Sequence, residues 1–183
     1  MYPLHRTWTL YFHSKDKEKT YSQNTIKIID IESIETFWRT YNNIPQPKEL
    51  FNYGFENKVL RIEKEYYVPN AYSFFEKGVY PTWDDHNNIN GAELSIRKFK
   101  GLPEMNEIWE NSLIYLISEN FEFSKNIKGI RFVDSTLPGK PMYRIEYWFD
   151  NVEYKIQIQE YIKKMFNIKT NLLYRIHKDI KES

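Results

Sequence analysis

The order of its periodic segments limits what this chain can fold into more than any other feature. Apolar and polar residues alternate over Thr7 to His13, Thr25 to Asp30, Ala92 to Phe99, Gly129 to Asp134, Met142 to Phe149 and Leu172 to His177. A period of two predicts β-strands. Other stretches repeat at helical spacing. In the first, Asp30 or Ser33 can cap a run that sets Ile34, Phe37, Trp38 and Tyr41 on one side. The second follows Gly101-Leu102-Pro103 and aligns Met105, Ile108, Trp109, Ser112, Leu113 and Leu116. The third runs from about Asp150 to Phe166 and stripes Ile158, Tyr161, Ile162 and Met165. Strands joined both directly and through helices, without strict strand–helix–strand alternation, predict an α+β fold with a mostly antiparallel sheet. One apolar stripe per helix fits three helices lying on a single face of that sheet. The opposite face then needs a reason to stay open, and a ligand is one such reason.

A chain of 183 residues is about one domain long and can bury a core without staples. Its aromatic share is high, with 15 Tyr, 12 Phe and 5 Trp. Aromatics fill cores first, but they also supply flat faces on which bases stack. The net charge of +1 argues against a long grip on many phosphates, so any nucleic-acid contact should be short. The absence of cysteine removes disulfides, thiolate metal sites and cysteine nucleophiles together. No apolar run approaches the ~20 residues that span a bilayer, and the first residues carry no secretory signal. No Asn-x-Ser/Thr acceptor occurs, which favours a cytosolic setting.

Enzyme readings start weak. The 6 glycines are never closer than ten residues apart, so neither a P-loop nor a dinucleotide fingerprint is present. His5, His13, His86 and His177 show no metal-ligand spacing. Asp84 and Asp85 are adjacent, so in extended chain they point to opposite sides and make a poor acid–base pair. No catalytic residue, metal or cofactor is assigned.

Several segments stand out as an ordered set. Tyr2-Pro-Leu-His-Arg-Thr-Trp-Thr-Leu-Tyr-Phe is followed by Lys15-Asp-Lys-Glu-Lys-Thr-Tyr-Ser. Then come Ile34-Glu-Thr-Phe-Trp-Arg-Thr-Tyr-Asn, Pro81-Thr-Trp-Asp-Asp, Trp109, Gly129-Ile-Arg-Phe-Val, Tyr147-Trp148 and a last strand near His177. In this order they resemble the family of translation initiation factor 4E, the cytoplasmic mRNA cap-binding proteins. The resemblance covers nearly the whole chain. It implies a single cap-binding domain over 1–183, with a curved antiparallel sheet and three helices on its convex face. A cytoplasmic, monomeric protein is expected.

The chemistry of such a site follows from the ligand. N7-methylguanosine carries a delocalised positive charge, so an aromatic face attracts it by cation–π as well as by stacking. A carboxylate beside the rings can accept the base N1–H and N2–H together. The resemblance puts the sandwich on Tyr21 and Trp83 and the carboxylate on Asp84. Relatives more often have tryptophan and glutamate at the first and last of these. For the cap phosphates it implies Arg144, with Lys140 in the Leu137-Pro-Gly-Lys-Pro loop as a substitute cation. Ser135 and Glu93 stand where basic residues are usual. Read without the resemblance, Trp83 is a core aromatic and Asp84-Asp85 a solvated turn. Trp8, Trp109 and Trp148 remain structural in either reading.

The first helical stripe is open to two readings. As an ordinary core stripe it would bury Ile34, Phe37, Trp38 and Tyr41 together. The resemblance instead exposes Ile34 and Trp38 on the convex surface. There, with Tyr2, Pro3, Glu110, Asn111 and Ile114, they would receive a helical peptide of a scaffold protein or repressor. Between Trp38 and Trp83 the chain is longer than usual relatives, with the surplus at about 50–69. Val59, Arg61 and Glu63 alternate with Leu60 and Ile62 there, which reads as a strand or half a hairpin. It would be a surface decoration or a wall of the ligand cleft. Two other functions stay open beside cap binding in translation initiation: a cap-binding repressor, and a general single-stranded RNA binder stacking bases on these aromatics.

Overall fold

A computed structural model describes residues 1–51, 59–137 and 140–180. Strands β1 (Pro3–Ser14), β2 (Thr25–Ser33), β5 (Pro69–Glu76), β6 (Ala92–Ile96), β7 (Ile127–Asp134), β8 (Tyr143–Phe149) and β9 (Leu173–Ile176) form one antiparallel sheet in the order β2-β1-β5-β7-β8-β6-β9. Strands β3 (Leu60–Ile62) and β4 (Glu65–Tyr67) pair separately as a hairpin. Among the described residues, three helices are longer than one turn: α2 (Ile34–Tyr41), α4 (Leu102–Ile117) and α5 (Lys155–Met165). Single turns form α1 (Tyr21–Asn24) and α3 (Pro47–Leu50).

Period-two alternation sorts each strand between two faces. On β8, Ile145, Tyr147 and Phe149 enter the main core, and Ile130 and Phe132 of β7 join them. Tyr72 and Phe74 of β5 and Trp8, Leu10 and Phe12 of β1 do the same. Against them pack Phe37 and Tyr41 of α2, Met105, Ile108, Trp109, Leu113 and Leu116 of α4, and Ile158 and Ile162 of α5. All three longer helices therefore cover one face. Each fully buried side chain of this size contributes roughly 1.5–3 kcal/mol, so this face carries most of the stability.

The open face is built differently. Its apolar cluster is small: Phe75, Val79 and Trp148, with Tyr11 and Trp83 partly buried against it. The rest is polar and buried, with His13, Ser73, Arg131, Glu146, Glu93 and Ser95 at the positions that alternate with core residues. Gly129 is required here. A Cβ on it would sit 2.3 Å from the Phe75 ring, which meets Trp148 edge-on at 5.3 Å. Register irregularities in β1, between Pro3 and Trp8 and between Leu10 and Tyr11, bend that strand.

Several expectations need adjustment. Ser33, and not Asp30, caps α2, its hydroxyl accepting from Thr36 N–H at 3.1 Å. The third helix starts at Lys155, after a short 3-10 turn at Val152–Tyr154. Strand β5, in the middle of the sheet, was not expected from the sequence. In the insertion, the strand over Leu60–Ile62 is one half of a hairpin, as read; residues 52–58 of it lie outside the described residues.

Candidate nucleotide-binding cleft

Two loops rise from the open face and lean toward each other. In the first, Thr20 caps α1 by accepting from Gln23 N–H, and Gln23 accepts from Thr20 N–H at 2.9 Å. Asn24 fixes the rest: its Oδ1 accepts from the Ser14 hydroxyl and Asp16 N–H, and its amide donates to Asp16 O and Lys19 O. This places Tyr21 at the start of a helical turn, 42% exposed. Its hydroxyl donates to the Pro81 carbonyl at 2.5 Å and ties the first loop to the second.

The second loop connects β5 to β6 and is organised by Asp85 and Asn88. Asp85 accepts from Tyr80 N–H at 3.1 Å and from both the backbone and side chain of Asn87 at 2.9 and 3.0 Å. Buried Asn88 donates to Tyr80 O and Thr82 O, both at 2.9 Å. Asp85 is therefore committed to its own loop. Asp84 is exposed and makes no hydrogen bond among the described residues. The two adjacent carboxylates thus have separate tasks, and only Asp84 is left to meet a ligand. Trp83 beside it is half-buried, and its Nε1 has no partner. His177 anchors the loop from below, its Nδ1 donating to Asn88 O at 2.8 Å while its ring packs on Trp148 at 4.5 Å.

The floor is charged. Glu146, fully buried, takes Arg144 Nε and Trp148 Nε1, with Arg131 Nη1 at 3.8 Å. Burial alone would raise the pKa of Glu146, but Arg131 and Arg144 together hold it below the usual carboxylate range. Next to it, His13 is locked in one neutral form. The Thr25 hydroxyl donates to Tyr21 O at 2.8 Å, so it accepts from His13 Nδ1 at 3.1 Å, and Nε2 accepts from Ser73 at 2.6 Å. Burial, then the Arg131 charge, keep the His13 pKa well below its ordinary value.

Together these elements bound a cleft of about 1040 Å³, large enough for a nucleotide. Tyr21, Trp83, Asp84 and Arg144 all line it, as expected from the sequence. Lys140 does not; it is exposed beside the cleft, paired to Leu137 through the backbone. Ser135 lines the cleft, whereas Glu93 is buried and holds Arg175 Nε at 2.9 Å. No residue of the β3–β4 hairpin lines it. The sequence reading missed Arg131, Lys15 and Lys178, and left Trp148 as purely structural, although all four line the cleft. Strand alternation carried a signal for two of them. Arg131 falls between Ile130 and Phe132, and Trp148 between Tyr147 and Phe149, so both must face away from the helices.

On the helix side the two readings of α2 separate. Phe37 is 1% exposed, whereas Ile34 and Trp38 are 43% and 38% exposed. Tyr2, 72% exposed, lies against the start of this helix: its N–H donates to the Glu35 carboxylate and its carbonyl accepts from Ile34 N–H at 3.0 Å. Pro3 is exposed next to it. Glu110 of α4 accepts from the Tyr41 hydroxyl at 3.1 Å, and Asn111 and Ile114 are half-buried on the same helix.

Among the described residues there is no cluster of three metal-ligating side chains, and no helix is long and apolar enough to cross a membrane. Fold and cleft together define a class: a single antiparallel sheet backed by helices, whose open face holds a cleft of aromatic rings, one uncommitted carboxylate and arginines. The chain belongs to the eukaryotic initiation factor 4E family, whose model matches residues 3–183. It is 31% identical over 131 residues to zebrafish eukaryotic translation initiation factor 4E-1B, covering 70% of this chain and 54% of the relative. Eukaryotic translation initiation factor 4E1 of Drosophila melanogaster is 27% identical over 184 residues, 97% of this chain and 63% of its own. The chain thus spans about half to two thirds of these relatives' length. Solved structures share the fold: Caenorhabditis elegans eIF4E-3 in complex with the 4E-binding protein Mextli aligns with a TM-score of 0.77 at 22% identity, over 97% and 94% of the two chains. Ascaris suum eIF4E-3 with an m7G cap aligns with a TM-score of 0.77 at 20% identity, over 100% and 94%.

Proposed function

We propose that this protein binds the 7-methylguanosine cap of messenger RNA, acts in translation initiation in the cytoplasm, and makes or breaks no bond in doing so. Tyr21 and Trp83 sandwich the cationic base, and Asp84 accepts its N1–H and N2–H. Each charge-assisted bond of this kind contributes about 1.5–3 kcal/mol. Arg144 takes the triphosphate, with Lys15 and Lys178 at the rim and Lys140 able to swing in from its loop. The observation that carries the reading is the division between the two aspartates: Asp85 is consumed by its loop, and Asp84 stands unpaired beside Trp83 at the cleft. The family membership and the m7G cap in the Ascaris suum relative support it.

On the helix face, Tyr2, Pro3, Ile34, Trp38, Glu110, Asn111 and Ile114 receive a helical peptide of a scaffold factor. The C. elegans relative, solved with a 4E-binding protein, supports such a partner. Asn111 cannot pair with a peptide arginine as an acidic residue would. We take 1–183 as one domain acting as a monomer, with the hairpin segment at about 50–69 as a surface addition. A cap-binding repressor would share every one of these contacts.

Retention on cap-analogue resin, with elution by methylated but not by unmethylated guanine nucleotide, is the expected result. Equal elution by both would favour a general single-stranded RNA binder. In Trp38→Ala, retention on the resin persists while capture of a scaffold peptide weakens; a large drop in melting temperature instead would make Trp38 a core residue.

A further inference from the structure

Beyond the base-binding loops, the open face continues toward the β9 edge, and there it becomes basic. Arg144 on β8, Arg97 just past β6 and Arg175 on β9 alternate with Ile145, Ile96 and Tyr174, which point into the helix-side core. All three arginines therefore stand on the open face, on β8 and β9 and just past the end of β6, which lies between them in the sheet. Each is tethered through its Nε. Arg97 Nε donates to Ser95 Oγ at 3.2 Å, Arg144 Nε to Glu146, and Arg175 Nε to Glu93 Oε1 at 2.9 Å. Arg175 also spends Nη2 on Glu93, at 2.5 Å. Among the described residues, the Nη groups of Arg97 and Arg144 and Nη1 of Arg175 make no hydrogen bond, and none is a buried orphan. These nitrogens are thus pre-oriented and open to solvent.

The charges are also close. Burial, then the positive charges of Arg144 and Arg175, push the pKa of Arg97 down, so both lie close enough to repel it. Four arginines here, counting Arg131, face only two buried carboxylates, Glu93 and Glu146. Planar guanidinium forks with free Nη groups suit phosphate oxygens, which they meet two at a time.

We propose that Arg97 and Arg175, continuing from Arg144 at the triphosphate, form a track for the phosphodiester backbone of the first nucleotides after the capped end, so that the protein grips a single-stranded RNA chain and not the cap alone. The inference rests on the cap reading above. Because the cluster is small, the grip covers two or three phosphates and adds little sequence preference.

The test compares m7GTP, a capped unstructured oligoribonucleotide of about eight nucleotides and the same oligonucleotide uncapped, across salt concentrations. Arg97 is the residue to change, since its only tether is Ser95 and no buried carboxylate is orphaned. In the unaltered protein the capped oligonucleotide should bind about tenfold more tightly than m7GTP at about 50 mM salt, and its log–log salt slope should be steeper by roughly 1.4, the value for two phosphates on a single strand. Arg97→Gln should shrink that gain and Arg97→Glu abolish it, while the preference for m7GTP over GTP persists in both. Equal affinity and slope for m7GTP and the capped oligonucleotide would overturn the track while leaving cap binding intact. So would a length-dependent gain that survives Arg97→Glu. Failure of m7GTP to bind at all would instead overturn the cap reading, and equal binding of capped and uncapped oligonucleotides would overturn both.

Discussion

The two faces of the seven-stranded sheet are made of opposite materials. The helix face holds a continuous apolar core, including Trp8 and Trp109, and packing explains every residue in it. The open face buries Arg131 beside Glu146, Glu93 under Arg175, and His13 between Thr25 and Ser73, and packing explains almost none of them. Burying a charge is costly even when it is paired, and a well-packed apolar floor would often be as stable or more so. One face is built for stability and the other for what it presents.

Tryptophan substitutions should separate the two faces most visibly. Trp109→Ala, on the helix face, should lower unfolding free energy by about 3–5 kcal/mol in urea titrations, because it leaves a cavity. Trp83→Ala, at the cleft, should change stability little but remove about 1–3 kcal/mol of methyl-selective binding, the worth of one stacked base. Similar destabilisation by both would erase the distinction.

The aspartate pair sharpens the same contrast within the open face. Asp84→Asn puts a donor amide where the base presents donors, and should weaken cap binding roughly ten- to a hundredfold with the fold untouched. Asp85→Asn should instead loosen the loop, visible as a lower melting temperature, because Asp85 accepts from Tyr80 and Asn87. The reverse pattern would mean that the wrong carboxylate has been assigned to the base.

A pH profile probes the buried polar floor. The folded pKa of His13 lies well below its ordinary 6.5, so between those values the unfolded chain binds the extra proton and the folded one does not. Stability is therefore intact above pH 6.5 and is lost as pH falls below it. The slope of unfolding free energy against pH in that window should be shallower in His13→Gln. An unchanged slope would place the titration elsewhere. The smallest effect belongs to Tyr21→Phe, which keeps the stacking ring but cuts the bond to Pro81 O. Cap affinity should fall about two- to tenfold, as for loss of one hydrogen bond. No change would make the tie between the loops incidental.

Much of the helix face was legible in the sequence, because helical stripes and strand alternation both report burial against one core. Strand β5 was not. Its run Ala71-Tyr-Ser-Phe-Phe is buried on both faces, so it shows no alternation to read. Tyr21, Trp83, Asp84 and Arg144, which line the cleft, were singled out through the family resemblance and not through periodicity. Arg131 and Glu146 were hidden for another reason. Ser73, Arg131, Glu146 and Ser95 lie side by side only through the register of β5, β7, β8 and β6, which no single strand encodes. Local pattern shows which way a residue points, but not what it meets.

If the open-face cleft reads a methylated, positively charged guanine, it must distinguish m7GTP from GTP. Calorimetric titration of the unaltered protein with m7GTP and GTP, side by side in one buffer, tests it most directly. The cation–π share alone predicts that m7GTP binds at least about tenfold more tightly than GTP, with one site per chain. Equal affinities for the two nucleotides, or no saturable binding of either, would contradict the account.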